Sequence, residues 1–177
     1  MTTAEYLRTP ETVLPQELIY GKLRVADAPF VPHQRLVGDL LVALHAHVQE
    51  RRLGEVLLSP MDVILDGPKA LIVQPDLLYV SSQRSDIVHD HVWGAPDLVV
   101  EILSPHPRIG TLNERVRWFA EYGVRECWLV HQFDRRVEVL RFEAGHVADR
   151  ASLEPHQPII SEVLPAFRAT MVGIAGW

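Results

Sequence analysis

Two short apolar runs, rich in Val, Ile and Leu, dominate the hydrophobic pattern of the chain. They span residues 72–80 and 98–103, and runs of this length bounded by Pro and Gly are typical of buried β-strands. Each run contains a carboxylate where an apolar side chain is expected, Asp76 in the first and Glu101 in the second. Burying a carboxylate is costly unless it is paired or binds a metal. If the two strands are neighbours, the acids indicate one shared site that faces a cation.

Apolar residues spaced three and four apart predict the helices. The longest such pattern covers residues 33–52, and a second covers residues 113–122. Gly123 follows the second pattern and is expected to close that helix, because glycine readily adopts the left-handed conformation found at helix C-termini. A short opening helix is predicted near residues 3–7, with a threonine as its N-cap.

The remaining apolar segments predict strands. Residues 17–25 predict either a strand pair or one bulged strand around Gly21, and residues 55–65 and 70–80 predict a hairpin. Further strands are predicted at residues 98–103, 126–131 and 136–142. A short helix is expected at residues 82–88, and a short strand with a packed tail after residue 142. No repeat or linker interrupts the pattern. The sequence therefore predicts a single mixed α/β (α+β) domain over residues 1–177.

Composition narrows the class of protein. The 177 residues are 47% hydrophobic and 23% charged, as in ordinary globular proteins. No apolar run approaches the roughly 20 residues of a membrane span, and the N-terminus shows no signal-peptide pattern. A lone cysteine, Cys127, excludes an internal disulfide framework and favours a cytoplasmic location. The net charge of −6 argues against a broad nucleic-acid-binding surface but leaves room for a local basic groove.

The acids have both a functional and an ordinary interpretation. Mg²⁺ prefers a few rigid oxygen ligands, so Asp76 and Glu101 suit a magnesium site, and Glu17 at the start of a strand could reach the same ion. Alternatively, Asp76 belongs to a Pro-Asp turn, and Glu101 and Glu17 are solvated. Asp97 is expected to face solvent or a turn. His33, at a helix start, is expected at the surface.

Five motifs then occur in a fixed order. They are Glu17-Leu-Ile-Tyr-Gly-Lys22, Pro32-His-Gln-Arg35, Gln74-Pro-Asp-Leu77, Val100-Glu-Ile-Leu-Ser-Pro105 and Tyr122-Gly-Val-Arg-Glu-Cys-Trp-Leu-Val130. This ordered set resembles the Uma2-type restriction endonucleases of the PD-(D/E)XK nuclease superfamily. The resemblance extends from about residue 6 to about residue 167.

The resemblance implies a restriction-endonuclease-like fold, in which a central mixed sheet is flanked by helices. It also implies that acids on adjacent strands bind Mg²⁺. Asp76 would be the motif aspartate, Glu101 the second acid and Glu17 the early glutamate of the family. DNA would be the partner, and a homodimer would be the assembly, because nucleases of this fold are often dimers and twofold pairs are the commonest assembly.

The chain departs from the family pattern at two places. The family lysine, carried by the helix after the second acid, corresponds to Arg115, and an upstream aspartate corresponds to Thr111. Arginine stays protonated and cannot act as a base, although it can bind a phosphate oxygen. Lys22 would replace the missing lysine only if the fold carries it to the acids. The ordinary interpretation of Arg115 is a surface arginine on an amphipathic helix.

Two functions from different classes follow. The first is a DNA endonuclease that depends on Mg²⁺ or Mn²⁺, in which Asp76 and Glu101 hold the metal, Glu17 assists and Arg115 contacts phosphate. The second is a catalytically inactive family member that acts as a nucleic-acid-binding or protein-interaction module. Both acids favour the first, whereas the two departures and the acidic pI of about 5.8 favour the second. Hydrolysis of another phosphate ester is a more distant third.

Overall fold

Two β-sheets and four α-helices form the fold in a computed structural model, which describes residues 1–10, 12, 14–26, 28–103 and 111–177. The helices are α1 (Thr3–Tyr6), α2 (Val31–Arg51), α3 (Leu112–Tyr122) and α4 (Met171–Ala175), with a 3-10 helix at Ser82–Ile87. The strands are β1 (Gln16–Ile19), β2 (Lys22–Val25), β3 (Gly54–Leu58), β4 (Val63–Asp66), β5 (Leu71–Val73), β6 (Leu77–Ser81), β7 (Val92–Trp93), β8 (Leu98–Ile102), β9 (Glu126–His131), β10 (Arg136–Glu143) and β11 (His146–Leu153).

Both sheets are mixed. The larger has six strands in the order β11-β10-β9-β8-β6-β3, with β8 and β9 parallel and the other pairs antiparallel. The smaller has five strands in the order β2-β1-β5-β4-β7, with β4 and β7 parallel. The predicted mixed α/β class is confirmed. The sequence pattern did not predict the division of the strands between two sheets.

The six-stranded sheet lies between two apolar layers. Side chains alternate across a strand, so Leu77 and Tyr79 of β6 pack with α2 on one face, while Leu78 and Val80 pack with α3 and the smaller sheet on the other. Helix α2 contributes Leu40, Leu44 and Val48, all fully buried. A fully buried side chain of this size contributes roughly 2 kcal/mol to stability. Both helices that reach the candidate site are therefore anchored on the same sheet.

The two strands predicted at 55–65 and 70–80 are each split. The first becomes β3 and β4, with Pro60 between them, which has no N–H to donate to a ladder. The second becomes β5 and β6, separated by Gln74-Pro75-Asp76. The predicted hairpin holds only for β4 with β5, because β3 pairs with β6 in the other sheet. Because of the break at residues 74–76, Asp76 is not part of β6 but lies directly before the N-terminal end of that strand.

Both ends of helix α3 are closed by residues that favour helix termini. The Thr111 hydroxyl accepts the Glu114 N–H, and the Glu114 carboxylate accepts the Thr111 N–H, which together form a capping box. Gly123 closes the helix with φ of +96°, so the predicted C-cap is confirmed. These ends fix the face of α3 that carries Arg115. The Ser104-Pro105 end of the fourth motif lies outside the described residues.

In the described part of the chain, none of the helices combines the length and the apolar content that a membrane crossing needs.

Asp97 is fully buried, so the expectation that it faces solvent or a turn was wrong. Its carboxylate accepts the Ser81 N–H at 2.8 Å, Arg125 Nη1 at 3.2 Å and Arg84 Nη1 at 3.4 Å. Burial alone would raise the pKa of Asp97, but the hydrogen bonds from Ser81 and the two arginines outweigh burial and lower it. The local pattern gave no sign of these partners, because Arg84 and Arg125 lie in separate segments.

We expect Asp97→Asn to destabilise the fold by about 1–3 kcal/mol at pH 7, because it leaves buried donors poorly paired. The carboxylate's folded-state pKa is lowered, so its contribution is complete above its unfolded value near pH 4 and is lost as the pH falls further. Urea unfolding at pH 7 and at pH values from about 4 downward would measure both effects. Asp39→Asn, at an exposed position of α2, is the control. A difference that widens on acidification would contradict the prediction.

Candidate active site

Asp76 lies directly before β6, and Glu101 lies on the neighbouring strand β8. Strands β6 and β8 pair antiparallel with Leu77 opposite Val100, so one further step of the same register puts Asp76 opposite Glu101. Side chains of directly opposed residues share one face of a sheet. The Ile102 N–H donates to Asp76 Oδ2 at 2.7 Å and fixes that carboxylate beside β8. The structure therefore brings these two acids together at one end of the larger sheet.

Arg115 joins this end of the sheet from helix α3. Its Nε and Nη2 donate to Glu101 Oε1 at 3.1 and 2.5 Å. Its Nη1 donates to Glu17 Oε1 at 2.9 Å and to Oε2 at 2.7 Å. The Arg115 side chain is only 11% exposed, which rules out the interpretation as a surface arginine. Its guanidinium is the cation that faces Glu101 and Glu17.

Glu17 reaches the guanidinium from β1 in the smaller sheet. It is almost fully buried, at 3% exposure, and its Oε1 also accepts the Gln74 N–H at 2.7 Å. Both carboxylate oxygens are thus occupied by donors. This arrangement ties the smaller sheet, the break at residues 74–76 and helix α3 to one charged centre. Lys22 is exposed on β2, and within the described residues it forms no ion pair with the acids of this site.

The pKa values of Arg115 and Glu101 show that their charges do not fully compensate each other. Burial lowers the pKa of Arg115, but Glu101 and Glu17 outweigh burial and raise it, so the guanidinium stays protonated. Burial is the main cause that raises the pKa of Glu101 to about 7; Arg115 opposes the rise, and Asp76 and Glu17 add to it. Arg115 therefore compensates the Glu101 charge only in part. A further cation near Glu101 and Asp76 would favour the ionised form.

The acids at this end of the sheet supply oxygen atoms of the kind that bind a divalent metal ion. Within the described ranges, no group of three or more His, Cys, Asp or Glu side chains is arranged to hold a metal ion. Mg²⁺, however, is often held by one or two carboxylates together with water and substrate phosphate. Both Arg115 bonds to Glu101 go to Oε1, and no hydrogen bond to Oε2 is found in the described part of the chain. Asp76 and Glu101 together therefore fit a Mg²⁺ site of this kind, in which two carboxylates are completed by water and phosphate.

His33 is the site residue that sequence reasoning missed. It was expected at the surface, but it is 9% exposed, and its Nε2 lies 3.2 Å from both carboxylate oxygens of Asp76. Burial lowers the pKa of His33, and the hydrogen bond and charge of Asp76 reverse this and raise it. A signal was present in the sequence. His33 precedes Leu36, Val37 and Leu40 at spacings of three, four and seven, which places it on the buried stripe of α2.

The fold and this end of the sheet define a restriction-endonuclease-like domain. The family described as "Uma2: Putative restriction endonuclease" matches residues 3–172, and the chain belongs to that family. The fold of this chain is similar to that seen in the crystal structure of a putative nuclease belonging to DUF820 from Anabaena variabilis ATCC 29413. That similarity has a TM-score of 0.83 at 19% identity and covers 100% of this chain and 98% of the other. A comparison with curated proteins finds no match.

We expect Arg115→Met to destabilise the protein by about 3–5 kcal/mol, because it leaves the buried Glu17 carboxylate without a counter-charge. An uncompensated buried acid has a raised pKa, so the deficit should shrink as the pH is lowered and the acid takes up a proton. Adding Glu17→Gln should recover part of the loss. Urea unfolding at pH 5 and pH 8 measures all three effects.

Arg117→Met is the matched control for this experiment. Arg117 lies on the same helix, its side chain is 60% exposed, and it pairs with Glu121 at 3.7 Å. The loss there should stay below about 1 kcal/mol. Equal losses at positions 115 and 117 would show that the Arg115 pairs contribute little.

Proposed function

We propose that this protein is a DNA endonuclease that hydrolyses phosphodiester bonds with the help of Mg²⁺ or Mn²⁺. The observation that carries the proposal is that Asp76, directly before β6, lies beside the end of β8 that carries Glu101, with the Asp76 carboxylate fixed by the Ile102 N–H. Membership of the Uma2 family supports a nuclease activity and DNA as the substrate. The homodimer and the cytoplasmic location stay predictions from the sequence.

Each residue has a role set by its contacts. Asp76 and Glu101 would hold the metal, and Glu101 Oε2 accepts no hydrogen bond among the described residues, because the Arg115 bonds go to Oε1. When bound, the ion supplies Lewis-acid polarisation of the phosphate and lowers the pKa of the attacking water. Glu17 assists by holding Arg115, which in turn orients Glu101. Arg115 contributes positive charge beside the phosphate position but cannot accept a proton.

A second candidate is a family member that binds nucleic acid or protein without cleaving. It is favoured by Arg115 itself. The resemblance assigns Arg115 to the position of the family lysine. The raised pKa of the guanidinium keeps it charged, and its donors are directed to Glu101 and Glu17. Under this alternative the protein binds the metal but leaves DNA intact.

The first prediction from this proposal concerns metal binding and cleavage. We expect the wild-type protein to bind Mn²⁺ in a calorimetric titration and to nick supercoiled plasmid with Mg²⁺ or Mn²⁺ but not with a chelator. Asp76→Ala should lose both, because it removes one of the two carboxylates. The exposed Asp86→Ala should lose neither. Equal metal binding by wild type and Asp76→Ala would count against the site, while metal binding without nicking would favour the second candidate.

The second prediction concerns the missing base. Arg115→Lys restores the residue type of the family, and a buried lysine can give up its proton. If a base limits the rate, nicking should rise by about 10-fold or more, since general bases contribute roughly 10²–10⁴-fold. Stability should fall at the same time, because an ammonium cannot reproduce the four bonds of the guanidinium. An already active wild type with no gain in the variant would reject this explanation.

A further inference from the structure

The contact between His33 and Asp76 links the start of α2 to the end of the larger sheet. Nε2 of His33 lies 3.2 Å from each Asp76 oxygen, so the imidazole faces the carboxylate edge on. The Ile102 N–H approaches Oδ2 from the strand side at 2.7 Å. Two donors from different elements thus define the plane of one carboxylate.

One nitrogen of the His33 imidazole is buried in an unfavourable environment. His33 Nδ1 is buried and has no hydrogen-bond partner among the described residues. Leaving a buried polar atom without a partner is unfavourable, because the atom loses its hydrogen bonds to water. An apolar side chain on the same stripe of α2 would avoid that cost, because Leu36 and Val37 already pack there. Among the described residues, the polar partner of the imidazole is Asp76, and this contact is therefore what a histidine adds at this position.

Helix α2 is well suited to hold this contact rigid. Pro32 lies in its first turn, where the proline ring presets the backbone and no donor is lost. Leu36, Leu40 and Leu44 then fix the helix against the sheet that carries Asp76 and Glu101. The position of the imidazole relative to the carboxylate is set by the core and not by a loop.

We propose that His33 is a positioning residue that sets the orientation of the Asp76 carboxylate for metal binding. This rests on the proposed function, in which Asp76 is a metal ligand. Partners that orient metal ligands typically change metal affinity or activity by about 10- to 100-fold when they are removed. His33 acts through Asp76, whereas a purely structural contact would affect stability and leave the carboxylate orientation unchanged.

The test compares side chains that do and do not reach Asp76. The amide nitrogen of glutamine lies about where Nε2 of histidine lies, whereas that of asparagine is one methylene shorter. We expect His33→Asn and His33→Leu to weaken Mn²⁺ binding by about 10-fold or more, and His33→Gln to stay within about threefold of wild type. Calorimetry with Mn²⁺ alone measures this. His45→Asn, at an exposed position of the same helix, is the control.

A second readout needs no metal. The Ile102 amide donates to Asp76 Oδ2, so its NMR resonance should move in metal-free His33→Asn and His33→Leu and return in His33→Gln. Wild-type Mn²⁺ affinity in both His33→Asn and His33→Leu, whose side chains bring no donor to Asp76, with an unmoved Ile102 resonance, would overturn the role of His33. If the wild type binds no Mn²⁺, the proposed function fails, and the Ile102 resonance alone decides whether His33 orients Asp76.

Discussion

The junction between the two sheets depends on the guanidinium of Arg115, which pairs with the largely buried carboxylates of Glu17 and Glu101. Arg115 holds Glu17 from the smaller sheet and Glu101 from the larger one. Because Gln74 also donates its N–H to Glu17, the same centre fixes the break between β5 and β6. Buried charges are tolerated only when they are paired and hydrogen-bonded. The interaction therefore stabilises the junction between the sheets where Asp76 is placed.

The same pairing shapes the chemistry of the site. Glu17 and Glu101 carry one more negative charge than Arg115 neutralises, and Asp76 adds a third acid beside Glu101. Burial is the main cause that raises the pKa of Glu101 to about 7, and the charges of Asp76 and Glu17 add to it. Under the proposed function, this excess negative charge would favour a divalent cation beside Asp76 and Glu101. The arginine also limits the site, because it supplies charge without supplying a base. Under the proposed function, metal binding and DNA cleavage would therefore be separable properties.

The sequence predicted the parts of the fold that depend on local pattern. Carboxylates inside apolar runs pointed to Asp76 and Glu101, and helical spacing located α2 and α3. It did not predict the splitting of two strands between two sheets, because that depends on which distant strand each half pairs with. His33 and Asp97 were misjudged for a related reason. Their partners, Asp76 for the first and Arg84 and Arg125 for the second, lie in other segments and meet them only in the folded chain.

The most direct test of the account is anomalous diffraction from crystals soaked in Mn²⁺. The account predicts one anomalous peak between the carboxylates of Asp76 and Glu101, with Arg115 still paired to Glu17. A fully soaked crystal with no peak at that position, or with a peak bound only by other residues, would contradict it.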